Sequence, residues 1–252
     1  MDRIAPTRRP EGSNAGTQLW RELLFVHWSF PAEVLRPLVP ARMELDLWEG
    51  RALVGLVPFV MRDIRSAWMP KGAGLDFLET NLRTYVHVND EPGVYFFSLE
   101  ASSWLAVRVA RLVWGLPYFH AEMETKREGE RIAYVSKRKD TSAAGVTTDF
   151  TIGAALGPSK PETLEHFLLE RYLLFSEKGG DLYKGQVHHV PYPARAATLH
   201  SIDQSLLTAA GLDTEGRAPD YAHFSEGVDV EVFGPWKISA SREGPAPLGG
   251  PK

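Results

Sequence analysis

The sequence predicts an α+β fold: a curved, mainly antiparallel β-sheet or barrel that encloses a cavity, with a few helices packed on it. About ten short strand patterns are joined by hairpin and turn signals, and three or four helical patterns are scattered between them. No repeat or Pro/Gly/Ser-rich linker divides the middle of the chain. We therefore expect a disordered leader over residues 1–17, a single domain over 18–240 and a disordered tail over 241–252.

The first half of the chain is predicted to be mostly strand. Pro31 begins a short helix that Pro40 ends, and Glu49-Gly50 and Asn89 to Gly93 are hairpin turns. Residues 62–76 carry Pro70, Gly72 and Gly74 and predict a mobile loop. The predicted strands are residues 23–28, 43–48, 52–61, 79–88 and 94–99.

Two longer helices are predicted. Ser102 or Ser103 can cap a helix over residues 104–114 that Gly115 ends. Residues 161–177 carry apolar side chains at near-helical spacing and predict the longest helix, packed on the outside of the sheet. The remaining predicted elements are strands at 118–125, 131–138, 149–154, 182–192, 196–202 and 228–233 and a short helix at 204–210.

Composition excludes several functions. The chain has 252 residues, a net charge of −4 and no cysteine, so disulfides, thiolate catalysis and cysteine-ligated zinc are absent and nucleic acid is not attracted. No apolar run approaches the roughly 20 residues of a membrane span, and the N-terminus lacks the apolar core of a signal peptide. We expect a cytoplasmic protein with neither nucleic-acid nor membrane partners, and leave a homo-oligomer open.

Motifs for common cofactors are missing. There is no phosphate-binding loop, dinucleotide fingerprint, nucleophile elbow or H-E-x-x-H zinc motif. His120-Ala121-Glu122 resembles part of a zinc deaminase motif whose cysteines are missing, and His188-His189 places neighbours on opposite faces of a strand. The sequence therefore predicts no cofactor and no metal.

Polar residues at every second position mark one predicted strand as a candidate site. Glu79, Asn81, Arg83 and Tyr85 share one face of the strand at residues 79–88. A solvated outer face is the commoner explanation of such a row. The mixture of acid, amide, base and phenol, together with the concave side of a curved sheet, favours a ligand cavity.

Two further groups are weaker candidates. Tyr134, Ser136 and Arg138 alternate in the strand at residues 131–138, which also fits an exposed strand end. His27 ends the first strand and either closes one side of the pocket or packs in the core with one hydrogen bond.

Several segments, taken in order, resemble the YqjF-like family of uncharacterised bacterial proteins, which is grouped with the acetoacetate decarboxylase-like fold. They run from about Leu19 to Val232 and include HWSFPAEVLRPLVPARMELDLWEGRALVGLVPF, FLETNLRTYV, PGVYFFSLEA, ARLVWGLPYFHAEM, YVSKR, ERYLLF and HHVPYP. The resemblance implies that fold, with Glu79 as the counterpart of a glutamate in the decarboxylase cavity.

The matched segments also speak against the Schiff-base reaction of acetoacetate decarboxylase. Acetoacetate decarboxylase uses a lysine nucleophile, and the segment that would hold it, residues 98–115, contains no lysine here. Arginine cannot replace it because a guanidinium stays protonated.

The residues thus predict a polar cavity for a small anionic or carbonyl-bearing metabolite. Arg83 or Arg138 would hold the anionic group, Glu79 would act as general base or as an arginine partner, and Asn81, Tyr85, Tyr134, Ser136 and His27 would bind the ligand. Whether the protein is an enzyme stays open at this point. Cofactor-free lyase, hydratase or isomerase chemistry, a non-catalytic carrier or sensor, and a structural protein whose polar row faces water are the alternatives.

Overall fold

The chain forms twelve strands in the computed structural model, which describes residues 1–238. The strands are β1 (Gly16–Pro31), β2 (Glu44–Leu45), β3 (Arg51–Ser66), β4 (Leu75–Val88), β5 (Glu91–Ala101), β6 (Tyr118–Glu128), β7 (Arg131–Arg138), β8 (Gly145–Ala155), β9 (Leu173–Lys178), β10 (Asp181–His188), β11 (Ala194–Gln204) and β12 (Tyr221–Ile238). The helices are α1 (Ala32–Leu35), α2 (Trp104–Trp114), α3 (Leu164–Leu169) and α4 (Leu206–Ala209).

The strands form two rings that share one wall. The first ring follows the order β12-β1-β3-β4-β5-β9-β10 and closes where β10 pairs with β12. The second runs from β5 through β6, β7, β8 and β11 to β12, and returns through β1, β3 and β4. Two pairings of β5, with β6 and with β9, are parallel, and the other paired strands are antiparallel. The predicted curved, mainly antiparallel sheet with few helices is confirmed, as a double ring instead of a simple barrel.

The shared strand β4 is buried on both faces. Every residue from Glu79 to Val86 is buried, because one face of the strand points into each ring. Apolar side chains form the core of the second ring around Leu82, Ile132 and Phe150. The first ring has a comparable apolar shell around Phe25 and retains an internal cavity.

Helix α2 lies where the sequence predicts it. The Ser103 hydroxyl accepts a hydrogen bond from the Ala106 N–H at 3.3 Å, and Gly115 ends the helix in the left-handed conformation at φ 64°. Within residues 1–238, no helix has both the length and the apolar character that a bilayer span requires.

The long outer helix predicted over residues 161–177 is wrong. Thr163 caps the six-residue α3, Glu170 leaves helical geometry at ψ 74°, and residues 173–178 pair as a strand with β10 and β5. Four of the six residues of α3 are buried. The apolar residues that fit one long amphipathic helix therefore belong to a buried helical turn and to a buried strand. A short apolar segment can fit the period of a helix or that of a strand, and pairing with neighbouring strands decides which one forms.

Residues 1–15 lie against the sheet, although the sequence predicts disorder for them. Arg9 forms an ion pair with Glu231 at 2.6 Å, and Gln186 donates hydrogen bonds to the carbonyl groups of Pro6 and Arg8. Gly16 and Thr17 already belong to β1. The predicted tail over residues 241–252 lies outside the described residues.

Candidate functional site

The first ring encloses a cavity of about 530 Å³, bounded on one side by α2. Its wall is mostly aliphatic and aromatic, with few polar side chains. Polar groups on its wall include Gln18, Arg65, Glu79, Asn81, Arg83, Tyr118, Arg171 and Tyr192. The expectation of a polar-lined cavity is therefore corrected: this is an apolar cavity with a small polar cluster, the usual composition of a small-molecule site.

Three of the predicted site residues meet in that cluster. Glu79, Asn81 and Arg83 follow one another on the cavity face of β4, and all three line the cavity. The Asn81 side-chain oxygen has no hydrogen-bond partner. Alternation along a single strand places these side chains together, as the sequence pattern predicts.

Glu79 is a buried carboxylic acid. Its Oε2 accepts a hydrogen bond from the Tyr118 hydroxyl at 2.9 Å. Burial raises the pKa of Glu79 to about 8, the Tyr118 hydrogen bond opposes the rise, and nearby Glu100 adds to it. The group is therefore mainly protonated at neutral pH and can donate as well as accept a hydrogen bond.

Arg83 is a buried cation without a carboxylate partner. Its Nη2 donates to the Leu168 carbonyl at 3.2 Å, and the guanidinium lies 5.6 Å from the Phe25 ring centroid. Its Nε has no hydrogen-bond partner, and among residues 1–238 no acid lies within ion-pair distance of it. The predicted Glu79–Arg83 pair does not form, because four residues of strand separate the two Cα atoms by about 13 Å.

A second buried arginine adds positive charge to the same wall. Arg171 pairs with Asp46 at 2.7 Å, and Asp46 also binds Arg3 from the N-terminal segment. Arg171 lines the cavity, and its Nη2 has no hydrogen-bond partner. Asp46 is shared by Arg171 and Arg3, and among the described residues no acid pairs with Arg83. With Glu79 protonated, this end of the cavity carries excess positive charge and is electrostatically suited to an anion.

Tyr85 and His27 lie behind the cavity wall instead of lining it. The Tyr85 hydroxyl donates to the Leu168 carbonyl at 2.8 Å and lies 2.7 Å from His27 Nε2. Burial, with smaller contributions from Arg83 and His223, holds the pKa of His27 well below its usual value. Gly55 allows this arrangement, since a Cβ there would lie 3.0 Å from His27 Nε2. Tyr85 therefore holds the Leu168 carbonyl to which Arg83 also donates, and His27 contacts that Tyr85 hydroxyl.

The candidates on β7 belong to the second ring. Arg138 binds Glu100 through Nε at 3.0 Å and Nη2 at 2.7 Å, and the Tyr134 hydroxyl donates to the Glu79 carbonyl oxygen at 2.9 Å. Ser136 is buried and its hydroxyl has no partner. None of Tyr134, Ser136 and Arg138 is among the residues lining the cavity. Their strand presents this face to the other ring, so they lie outside this cavity, and their role in ligand binding stays a prediction.

Two polar residues at the site could not be identified from the sequence pattern. Tyr118 lies 39 positions after Glu79 and reaches it only through the packing of β6 beside β5. Arg171 lies in the segment predicted as an outer helix. Within the described part of the chain, no cluster of three or more histidine or acidic side chains has the geometry to hold a metal ion.

Comparison with known proteins finds a matching family and a similar bacterial protein. Residues 17–229 match the family model DUF2071, described as an uncharacterized conserved protein. The uncharacterized protein YqjF of Bacillus subtilis (strain 168) is 35% identical over 222 residues, which cover 88% of this chain and 91% of that protein.

Solved structures with the acetoacetate decarboxylase-like fold superpose along almost the full length. The enduracididine biosynthesis enzyme MppR with HEPES bound gives a TM-score of 0.63 at 12% identity, covering 91% of this chain and 90% of that one. An acetoacetate decarboxylase-like enzyme from Sphingomonas wittichii RW1 gives 0.62 at 12% identity, with 91% and 95% covered. Acetoacetate decarboxylase from Legionella pneumophila gives 0.59 at 14% identity, with 92% of each chain covered.

These identities show the fold alone, whereas the family match and the Bacillus relative extend over most of the sequence. The predicted resemblance to YqjF-like proteins is confirmed. The chain belongs to the DUF2071 family of uncharacterized conserved proteins, built on the acetoacetate decarboxylase-like fold.

Proposed function

We propose that the protein binds a small molecule with a carboxylate or polarised carbonyl group in the first-ring cavity, and that Arg83 holds this group. The observation that carries the proposal is a buried arginine without a carboxylate partner on the wall of a 530 Å³ cavity. An isolated buried charge is costly, so a ligand anion supplies the missing partner. Protonated Glu79 and the free oxygen of Asn81 add a donor and an acceptor. One structure of MppR is complexed with pyruvate, which supports a ligand of this class.

Arg83→Met is expected to weaken carboxylate binding about 30-fold or more, because it removes one half of a desolvated ionic contact. The variant is also expected to stabilise the empty protein by about 1 kcal/mol, since an uncompensated buried charge is removed. Isothermal titration with pyruvate and with longer 2-oxo acids, and thermal melts without ligand, measure the two effects.

Arg108→Met is the matched control, because Arg108 is exposed on α2 and does not line the cavity. It should leave both quantities unchanged. Equal affinities of the wild-type protein and Arg83→Met for every acid tested would contradict the proposal.

A catalytic role for Glu79 is the second candidate, and the raised pKa of this carboxyl group favours it. As an acid it can protonate a carbonyl oxygen, and as a carboxylate it can remove a proton from the neighbouring carbon. Schiff-base chemistry is not part of this proposal, because none of the described residues that line the cavity is a lysine.

Glu79→Gln is expected to abolish exchange of the protons next to the carbonyl group of a bound 2-oxo acid in D₂O, while changing the Kd less than about threefold. Glutamine keeps the size and hydrogen bonding of the protonated acid but cannot take up a proton. Proton NMR of the ligand measures the exchange rate. Absence of exchange in the wild-type protein at pH values up to 9 would instead favour the carrier or sensor.

A further inference from the structure

The cavity has a polar inner end and an open end, and the wall that connects them along β4 is apolar. Leu75, Phe77, Glu79, Asn81 and Arg83 line it in sequence along β4, a row about 26 Å long between its outer Cα atoms. The side chains are 41% exposed at Leu75, 9% at Phe77 and 2% at Glu79. The mouth therefore lies at Leu75, and the positive charge lies at the inner end.

The neighbouring strand continues the same gradient. Phe59 is paired with Glu79, Met61 with Phe77 and Ile64 with Leu75, and the three β3 side chains line the cavity. Between the polar cluster and the mouth, these three side chains offer apolar contact. The charged β3 residue that lines the cavity at the mouth, Arg65, is paired with Asp63 at 3.0 Å.

Helix α2 covers one side of the cavity with two alanines set among the larger lining residues Leu105, Val109, Val113 and Trp114. Ala106 and Ala110 are one turn apart and line it, whereas Leu112, which is 74% exposed, does not. The two alanines leave room beside the apolar wall that larger residues would fill.

We infer that the ligand is an elongated amphiphile, a carboxylate joined to an apolar chain or ring system of about six or more carbon atoms. Its carboxylate lies at Arg83, and its apolar part extends along β4 toward Leu75, beneath Ala106 and Ala110. This inference rests on the proposed function, and it describes the apolar part of the ligand, which Arg83 does not contact. A short acid would leave most of the apolar wall in contact with water, whereas a chain would displace that water.

The test is a chain-length series of unbranched carboxylates from acetate to dodecanoate, titrated against the full chain. Trp20 and Trp114 line the cavity, so their fluorescence reports occupancy, and titration calorimetry gives the Kd. We expect each added methylene to tighten binding by about 3- to 4-fold until the mouth is reached. The primary alcohol of ten carbons should bind at least about 30-fold more weakly than decanoate.

A substitution on α2 tests where the apolar part of the ligand lies. Ala110→Phe should weaken decanoate binding at least tenfold and leave butyrate within about twofold, because the added ring occupies space on the path of the longer chain. Leu112→Phe, on the outer surface of α2, is the matched control and should change neither. Thermal melts of both variants verify that the fold is retained, and Ala106→Phe provides a second substitution on the same face.

The outcomes separate the two proposals. Carboxylates that bind with an affinity independent of chain length, or best at two to four carbons, would overturn the amphiphile while the anion site at Arg83 stands. Failure of every carboxylate to bind the wild-type protein would overturn the proposed function itself. Decanoate binding that is unchanged in Ala110→Phe and in Ala106→Phe would overturn the placement beneath α2.

Discussion

Replacing Glu79 by glutamine is expected to remove much of the pH dependence of stability between pH 4.5 and 8. Burial raises the pKa of Glu79 from 4.5 to about 8, so in this window the folded protein holds a proton that the unfolded chain releases. The contribution of such a group is fully present below the unfolded pKa of 4.5 and is lost as the pH rises through 8. The loss is about 1.4 kcal/mol per pH unit, on the order of 4 kcal/mol across the window.

Glutamine reproduces the protonated acid and can still accept the Tyr118 hydrogen bond. The variant should therefore match the wild-type protein near pH 5 and exceed it in free energy of unfolding by several kcal/mol at pH 8. Denaturant unfolding at steps of half a pH unit measures the difference in free energy of unfolding between the two proteins. The other titrating groups contribute equally to both proteins and cancel in this difference. Glu122→Gln, an exposed substitution on β6, serves as control and should leave the curve unchanged.

Parallel curves for the wild-type protein and Glu79→Gln would mean that Glu79 is ionised in the folded protein. The cavity would then contain a compensated acid, and the excess positive charge assigned to its inner end would be smaller. The anion site and the general-acid role of Glu79 would both lose their main electrostatic support.

Sequence patterns locate single elements well. Ser103 and Gly115 define α2 because caps and left-handed glycines are local signals. Alternation along β4 places Glu79, Asn81 and Arg83 on one face because a strand has a period of two. Local rules suffice where one segment determines the outcome.

In β7, alternation correctly identifies the residues that share one face of the strand. It does not tell which of the two rings that face enters. Tyr134 and Arg138 do point together, into the second ring. Contacts between distant segments are equally invisible, as with Tyr118 on Glu79. The misassigned residues 161–177 show the remaining limit: a short apolar segment fits either period until its partner strands are known.

Arg138→Met is expected to destabilise the protein by about 3 kcal/mol at pH 7 and by much less at pH 5. Arg138 is the buried partner of Glu100, whose side chain is fully buried. Burial already raises the pKa of Glu100 even though Arg138 opposes the shift. Without the guanidinium the pKa of Glu100 rises further, so stability that is fully present below the unfolded pKa of 4.5 is lost, by at most about 1.4 kcal/mol per pH unit, as the pH rises above it.

A second substitution distinguishes loss of the charge partner from loss of packing. Arg138 also lies 3.8 Å from the Phe119 ring centroid, and methionine retains part of that apolar contact. In the double variant Arg138→Met with Glu100→Gln the acid of this ion pair is removed as well, so stability at pH 7 should return to within about 1 kcal/mol of the wild-type protein, and the additional pH slope of the single variant should disappear.

Urea unfolding of the single and double variants at pH 5, 6 and 7 measures both quantities. A pH-independent loss in Arg138→Met that Glu100→Gln does not restore would show that packing on Phe119, and not the ion pair, stabilises this ring. Carboxylate binding to the folded single variant should match that of the wild-type protein, because Arg138 serves the second ring and the cavity lies in the first. Loss of binding in that variant would show that Arg138 contributes to ligand binding, as the sequence predicts.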